Sequence, residues 1–137
     1  MRVPKPLALL VTDEARRQIR SARGWLKGFG SGVDQRFTAA LERELTGLCQ
    51  SVAQQIADKK PFHPDEQASL AYSRAIYRHR FQTGKTRRRR SSSGVWFVLY
   101  ELRDQDADGI ADTLQLLGVH HAASRPLWEE EQEVPEE

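Results

Sequence analysis

Hydrophobic residues recur at helical spacing in the first segment of the chain that has a clear pattern. After the short apolar run PLALLV, apolar positions fall three or four residues apart, at Ala15, Ile19, Ala22 and Leu26. We predict a brief strand and then a helix, with Thr12 as the N-cap and Asp13 in the first turn. The glycine-rich stretch GFGSG ends this helix, and Ser31 with Asp34 three residues later indicates the start of another helix.

The second helix has the most regular pattern in the sequence. Its apolar positions step by three or four residues along one face, at Phe37, Leu41, Leu45, Leu48, Val52 and Ile56. Two amphipathic helices joined by a glycine-rich turn form an antiparallel hairpin, and its apolar side needs another layer to cover.

The pattern becomes extended in the second half of the chain. The segment KKPFHPDEQAS, with two prolines, is predicted to be a loop, and AIYRHRFQ then alternates as a strand does. VWFVLYEL is apolar on both faces and is predicted to be a central strand, and TLQLLGVHH is a further strand. The fold class is therefore α+β: a short N-terminal strand, then a two-helix antiparallel hairpin packed on one face of a three- to four-stranded, mainly antiparallel sheet. Residues 1–128 are predicted to be a single domain and residues 129–137 an acidic disordered tail.

The charge distribution is uneven. The 137 residues carry a formal charge of +2, but the terminal stretch EEEQEVPEE holds six of the 19 acidic residues, which leaves 13 to balance 21 basic ones. No carboxylate occurs between Gln67 and Tyr100, where the basic residues are Arg74, Arg78, Arg80, Lys85 and Arg87 to Arg90. This clustering favours a polyanionic partner. A solvated basic face, balanced by the acidic tail or by an acidic protein, fits the same composition.

The sequence also bears on the cellular compartment. Cys49 is the only cysteine, so no intramolecular disulfide can form. The apolar run PLALLV is too short for a signal-peptide core or a membrane span. We therefore expect a cytoplasmic protein with no membrane association.

A loop rich in aspartate follows the central strand. The stretch DQDADGIAD places carboxylates at alternate positions around a glycine, at Asp104, Asp106, Asp108 and Asp112. Such carboxylates can converge on Ca²⁺, and the loop is more similar to the calcium-binding hairpin loops of integrin-type β-propellers than to an EF-hand, which would require Glu where Gln115 stands. The alternative is an Asp/Gly turn that keeps a hairpin soluble.

From Ala8 to Trp128 the chain resembles the RelE/ParE toxin superfamily of bacterial type II toxin–antitoxin systems. The resemblance rests on LLVTDEARRQI before a helical hairpin, on RRRRSSSGVWFVLYEL as a basic segment entering a central strand, and on the closing LQLLGVHHAASRPLW. It implies a RelE/ParE-like fold, a cognate antitoxin as partner, and one of two activities: ribosome-dependent cleavage of mRNA, or poisoning of DNA gyrase.

The resemblance to the nuclease members also implies roles for particular residues. Catalytic positions would be His120, His121 and Arg125, and nucleic-acid-binding positions would be Arg78, Arg80, Lys85, Arg87, Arg88, Arg89, Arg90 and Trp128. Nuclease members often have a tyrosine where this chain has Trp128, which can stack on a base but cannot exchange a proton.

The chemistry of RNA cleavage without a metal agrees with these residue types and requires no cofactor. It needs a base for the 2′-OH, an acid for the 5′-oxygen and cations for the charge on phosphorus, which histidine and arginine can supply. The alternative for the histidine pair is that one faces the core at the strand end and the other is solvated. In a strand, likewise, only half of the arginine run can face one ligand.

The leading hypothesis is thus an endoribonuclease toxin that acts on mRNA at the ribosome. The alternatives are a non-enzymatic gyrase poison and an inactive toxin-like protein that binds RNA or a partner.

Overall fold

The computed structural model describes residues 3–83 and 94–122. The strands are β1 (Ala8–Val11), β2 (Tyr77–Gln82), β3 (Val95–Arg103) and β4 (Thr113–His121), and the helices are α1 (Asp13–Leu26), α2 (Val33–Ala57) and α3 (Glu66–Tyr72), with a 3-10 turn over Lys27–Phe29. The sheet order is β1-β4-β3-β2, with β1 parallel to β4 and the other neighbours antiparallel. The predicted fold class, an α+β domain with a short first strand, a helical hairpin and a mainly antiparallel sheet, is confirmed.

Thr12 joins the start of α1 to the sheet, as an N-cap should. Its hydroxyl oxygen accepts a hydrogen bond from the backbone N–H of Ala15 at 3.1 Å, and the hydroxyl donates to the carbonyl of Leu116 at 3.0 Å. The predicted cap is therefore confirmed, and it also fixes α1 against β4.

The start of α2 differs from the prediction. Gly32, not Ser31, is the N-cap, and no side chain caps this helix. Gly32 has φ +80°, a left-handed conformation that a residue with a Cβ rarely adopts, so the tight reversal after the 3-10 turn determines where α2 begins.

The predicted apolar face of α2 forms the main core. Five of its residues are buried, namely Phe37, Leu41, Leu45, Leu48 and Val52, and Ile56 is partly buried against them. They pack with α1 and with the side chains of one sheet face, which include Trp96, Val98, Tyr100, Leu114, Leu116 and Val119. We refer to this side of the sheet as the helix face.

The predicted loop before β2 contains a helix instead. Asp65 caps α3 by accepting a hydrogen bond from the backbone N–H of Ala68 at 3.0 Å. A second, smaller cluster of Ala68, Ile76, Leu99 and Leu117 packs α3 against the sheet. Because Leu99 follows Val98 in β3, this cluster lies on the face opposite the helix face.

A β-bulge in β4 changes which side chains share a face. Leu99 pairs with Gly118 and Tyr100 pairs with Leu116, so Leu117 is the extra residue. Before the bulge Leu114 and Leu116 face the helices, and after it Val119 does. A bulge reverses the alternation of the residues that follow, and it therefore sets the direction of the two histidines at the end of β4.

None of the helices in residues 3–83 and 94–122 combines the length and the apolar character needed to cross a membrane.

Candidate nucleic-acid interface

The two histidines of β4 lie on opposite faces of the sheet. His121 pairs with Trp96 and is 8% exposed on the helix face. Its ring contacts Trp25 and Trp96 edge-on, each at 5.0 Å between ring centroids. His120 is half-buried on the other face and stacks on Phe97 with centroids 5.3 Å apart and planes 22° apart. The structure therefore does not bring the predicted pair together in one site.

A row of three residues that ends at His120 crosses three strands of the sheet. Arg80 of β2 pairs with Phe97 of β3, and Phe97 pairs with His120 of β4. Arg78 lies on the same face two residues before Arg80, and its guanidinium carbon is 4.6 Å from the centre of the Phe97 ring. We call Arg78, Arg80, Phe97 and His120 the basic–aromatic patch.

The basic–aromatic patch combines two features that suit single-stranded nucleic acid. Arg78 and Arg80 are exposed cations on β2, and beside them the rings of Phe97 on β3 and His120 on β4 stack on each other. Arginines neutralise phosphates, and aromatic rings stack on unpaired bases. The predicted nucleic-acid-binding residues Arg78 and Arg80 thus lie on the same sheet face as one of the two predicted histidines, with Phe97 between Arg80 and His120.

Arg74, which lies in the same carboxylate-free stretch between Gln67 and Tyr100, has a structural partner. Arg74 contacts the carboxylate of Glu101, which is 5% exposed, and Arg103 lies 3.7 Å from the same carboxylate. A buried carboxylate needs such compensation, so Arg74 secures α3 to the sheet. The Arg74 charge is therefore compensated by Glu101, whereas no ion pair with a carboxylate of the described residues compensates that of Arg80.

The remaining predicted site residues lie outside the described residues. They are Lys85, Arg87, Arg88, Arg89, Arg90, Arg125 and Trp128, and the acidic stretch 129–137 lies there too.

The aspartate loop connects β3 and β4 as a hairpin, as predicted. Ligand oxygens of Asp104, Asp108 and Asp112 lie within 4.8 Å of one another, whereas Asp106 is not part of this group. These carboxylates also accept hydrogen bonds from the loop itself: Asp104 from the backbone N–H of Gly109 at 2.6 Å, and Asp112 from that of Asp106 at 3.0 Å.

Hydrogen bonds also lower the pKa of the Asp112 carboxyl group. The largest contribution is the bond from the Thr113 hydroxyl, and the backbone N–H groups of Asp106 and Gln105 add to it. Three carboxylates are a hard-oxygen donor set of the kind that Ca²⁺ prefers, but their bonds to the loop also account for the turn. Calcium binding here stays a prediction.

Sequence reasoning missed two residues of this region. The apolar pattern of VWFVLYEL gives Phe97 no role beyond that of a strand residue, although alternation along β3 sets it on the face opposite Trp96 and Val98. The two prolines near Asp65 favour a loop, although an aspartate directly before EQASLAY is a helix start signal.

A scan against protein-family models, a search of curated proteins and a search of solved structures each found no match to this chain.

Proposed function

We propose that this protein is the toxin of a type II toxin–antitoxin system and cleaves mRNA on the ribosome through the basic–aromatic patch. The observation that supports this most directly is the row of Arg80, Phe97 and His120 across three strands, with Arg78 against the same aromatic ring. It brings cations, a stacking surface and a proton-transfer group to one sheet face.

Each residue of the basic–aromatic patch has a distinct role in this proposal. An unpaired base stacks at the rings, while Arg78 and Arg80 hold the phosphate and stabilise the charge that develops on it. His120 exchanges a proton with the attacking 2′-oxygen or the leaving 5′-oxygen. His121, which is buried between two tryptophans, supports the strand end instead.

The proposed partners follow from the same surface. A cognate antitoxin that covers the basic–aromatic patch would block RNA access, and ribosome-bound mRNA places the site of action in the cytoplasm. No cofactor is required for this chemistry, since histidine and arginine supply its proton transfer and charge stabilisation.

A binding-only function is the second candidate, and one observation favours it. Of the two adjacent histidines, only His120 lies on the basic–aromatic patch, so the described residues bring a single imidazole to it. A gyrase poison or an inactive RNA-binding protein needs no proton-transfer pair.

Controlled expression in a bacterium distinguishes these functions. We expect protein synthesis to stop before DNA replication, and the His120→Ala variant to lose this effect while the purified variant still binds RNA. His63→Ala, which removes an exposed histidine from the loop before α3, is the matched control and should stay toxic. If replication stops first, the gyrase function replaces this proposal, and if His120→Ala is as toxic as the parent, cleavage through His120 is wrong.

A further inference from the structure

Asp65 is bonded on both sides of the position where α3 begins. One carboxylate oxygen accepts the N-cap hydrogen bond from Ala68 at 3.0 Å, and the other lies 3.4 Å from Nε of Arg78. The backbone N–H of Asp65 donates to the carbonyl of Ile76 at 2.7 Å, two residues before Arg78. Two hydrogen bonds that do not involve Arg78 therefore fix the position of this carboxylate.

Arg78 is held from two directions. Asp65 contacts the Nε edge of its guanidinium, and the guanidinium carbon lies over the Phe97 ring, 4.6 Å from the ring centre. The side chain is still 41% exposed, and its terminal nitrogens form no hydrogen bond with the described part of the chain. An arginine has five N–H donors in a rigid fork, so contact at one edge leaves the other edge available and oriented.

Arg80 has a different environment. It is exposed on the same strand, and no ion pair joins it to a carboxylate within residues 3–83 and 94–122. The two arginines therefore offer a phosphate one guanidinium that a carboxylate holds and one that no carboxylate of residues 3–83 and 94–122 holds.

We propose that Asp65, which does not itself touch RNA, is a positioning residue that orients Arg78 toward the reacting phosphate. This inference rests on the proposed RNA cleavage and adds a residue to it. A carboxylate near a phosphate site repels RNA, so its presence lowers affinity, while a fixed guanidinium stabilises the transition state better than a mobile one. Loss of the Asp65 charge should thus lower turnover without weakening RNA binding.

The test compares Asp65→Asn with Glu66→Gln. Asparagine still caps a helix, so α3 is retained while the charge that holds Arg78 is lost. Glu66→Gln removes one negative charge from the next residue, which is exposed. We expect Asp65→Asn to lower the turnover of ribosome-bound mRNA by about 10–100-fold with equal or tighter RNA binding, and Glu66→Gln to leave turnover unchanged.

Two further measurements separate positioning from folding and from the proposed function. In NMR spectra, exchange of the Arg78 Nε–H with water should be slow in the parent and in Glu66→Gln, and fast in Asp65→Asn. Arg78→Lys keeps the charge but lacks the Nε edge that Asp65 contacts, so it should lose turnover as Asp65→Asn does. This variant therefore provides a second test of the inference if Asp65→Asn does not fold.

The outcomes are distinct. If Asp65→Asn keeps full turnover and a slowly exchanging Nε–H, the inference is wrong. If the parent itself cleaves no RNA, the proposed function fails, while the exchange measurement still decides whether Asp65 holds Arg78.

Discussion

The two adjacent histidines should contribute differently to stability, because alternate residues of a strand face opposite sides of the sheet. His121 fills the space between Trp25 and Trp96, and His120 is half-buried on Phe97. We expect His121→Ala to lower the free energy of unfolding by about 2–4 kcal/mol, since it leaves a cavity beside two large rings. His120→Ala should cost less than about 1 kcal/mol. Urea unfolding followed by tryptophan fluorescence measures both, and equal losses would contradict the assignment of faces.

The hydrogen bonds of the Asp112 carboxylate predict that the hairpin loop is sensitive to acid. Its pKa in the folded protein is below the ordinary value of 3.8, so its bonds stabilise the loop above about pH 4 and are lost as pH falls through the lowered pKa. We expect the backbone N–H groups of Gln105 and Asp106 to lose protection from hydrogen exchange in that range, after correction for intrinsic rates. Asp112→Asn should weaken their protection at neutral pH and reduce its acid dependence. A profile identical to that of the parent would mean that these bonds do not hold the loop.

At the scale of elements, the long amphipathic helix and the strands could be predicted because each has many positions that repeat one period. α3 could not be predicted in this way, since it has seven residues and buries only Ala68 fully, and two prolines precede it. The direction of the histidines could not be predicted either. In a regular β4, His120 would share a face with Leu114 and Leu116, and only the extra residue Leu117 moves it to the opposite face. The sequence therefore predicted Arg78, Arg80 and the histidine pair as site candidates, while the pairing of strands decided which of them share a face.

The bulge in β4 is attached to α1 through Gln18. The Gln18 side-chain oxygen accepts a hydrogen bond from the backbone N–H of Val119 at 2.7 Å, directly after Gly118. A Cβ at Gly118 would lie 2.7 Å from that oxygen, so the close approach requires glycine or a displaced Gln18.

We expect Gln18→Ala to lower the free energy of unfolding by about 1–3 kcal/mol, because the partly buried N–H of Val119 loses its acceptor. Thermal or urea unfolding measures the stability, and hydrogen exchange at Val119 shows whether the loss is local. Gln35→Ala, at an exposed position of α2, is the control and should be close to neutral. Unchanged exchange at Val119 in Gln18→Ala would show that the helix does not hold the bulge.

For the whole molecule, charge is the property that most affects how it meets a polyanion. The six glutamates in 129–137 account for much of the balance against 21 basic residues, although they lie outside the described residues. We predict that removal of residues 129–137 raises nonspecific RNA affinity and steepens its dependence on salt, because more phosphates can then be neutralised. Fluorescence anisotropy with a labelled unstructured RNA at several salt concentrations gives both quantities.

A substituted tail tests whether charge or chain length causes this effect. A full-length variant with glutamine at the six glutamate positions should bind as the truncated chain does, since it keeps the length and loses the charge. If truncation strengthens binding but the glutamine variant matches the parent, the tail acts by occupying space.

Arg80→Gln in the truncated chain should lower the salt slope by about one, because one phosphate contact is removed from the basic–aromatic patch. An unchanged slope would mean that RNA binds elsewhere on the molecule, and the proposed function would lose its main support.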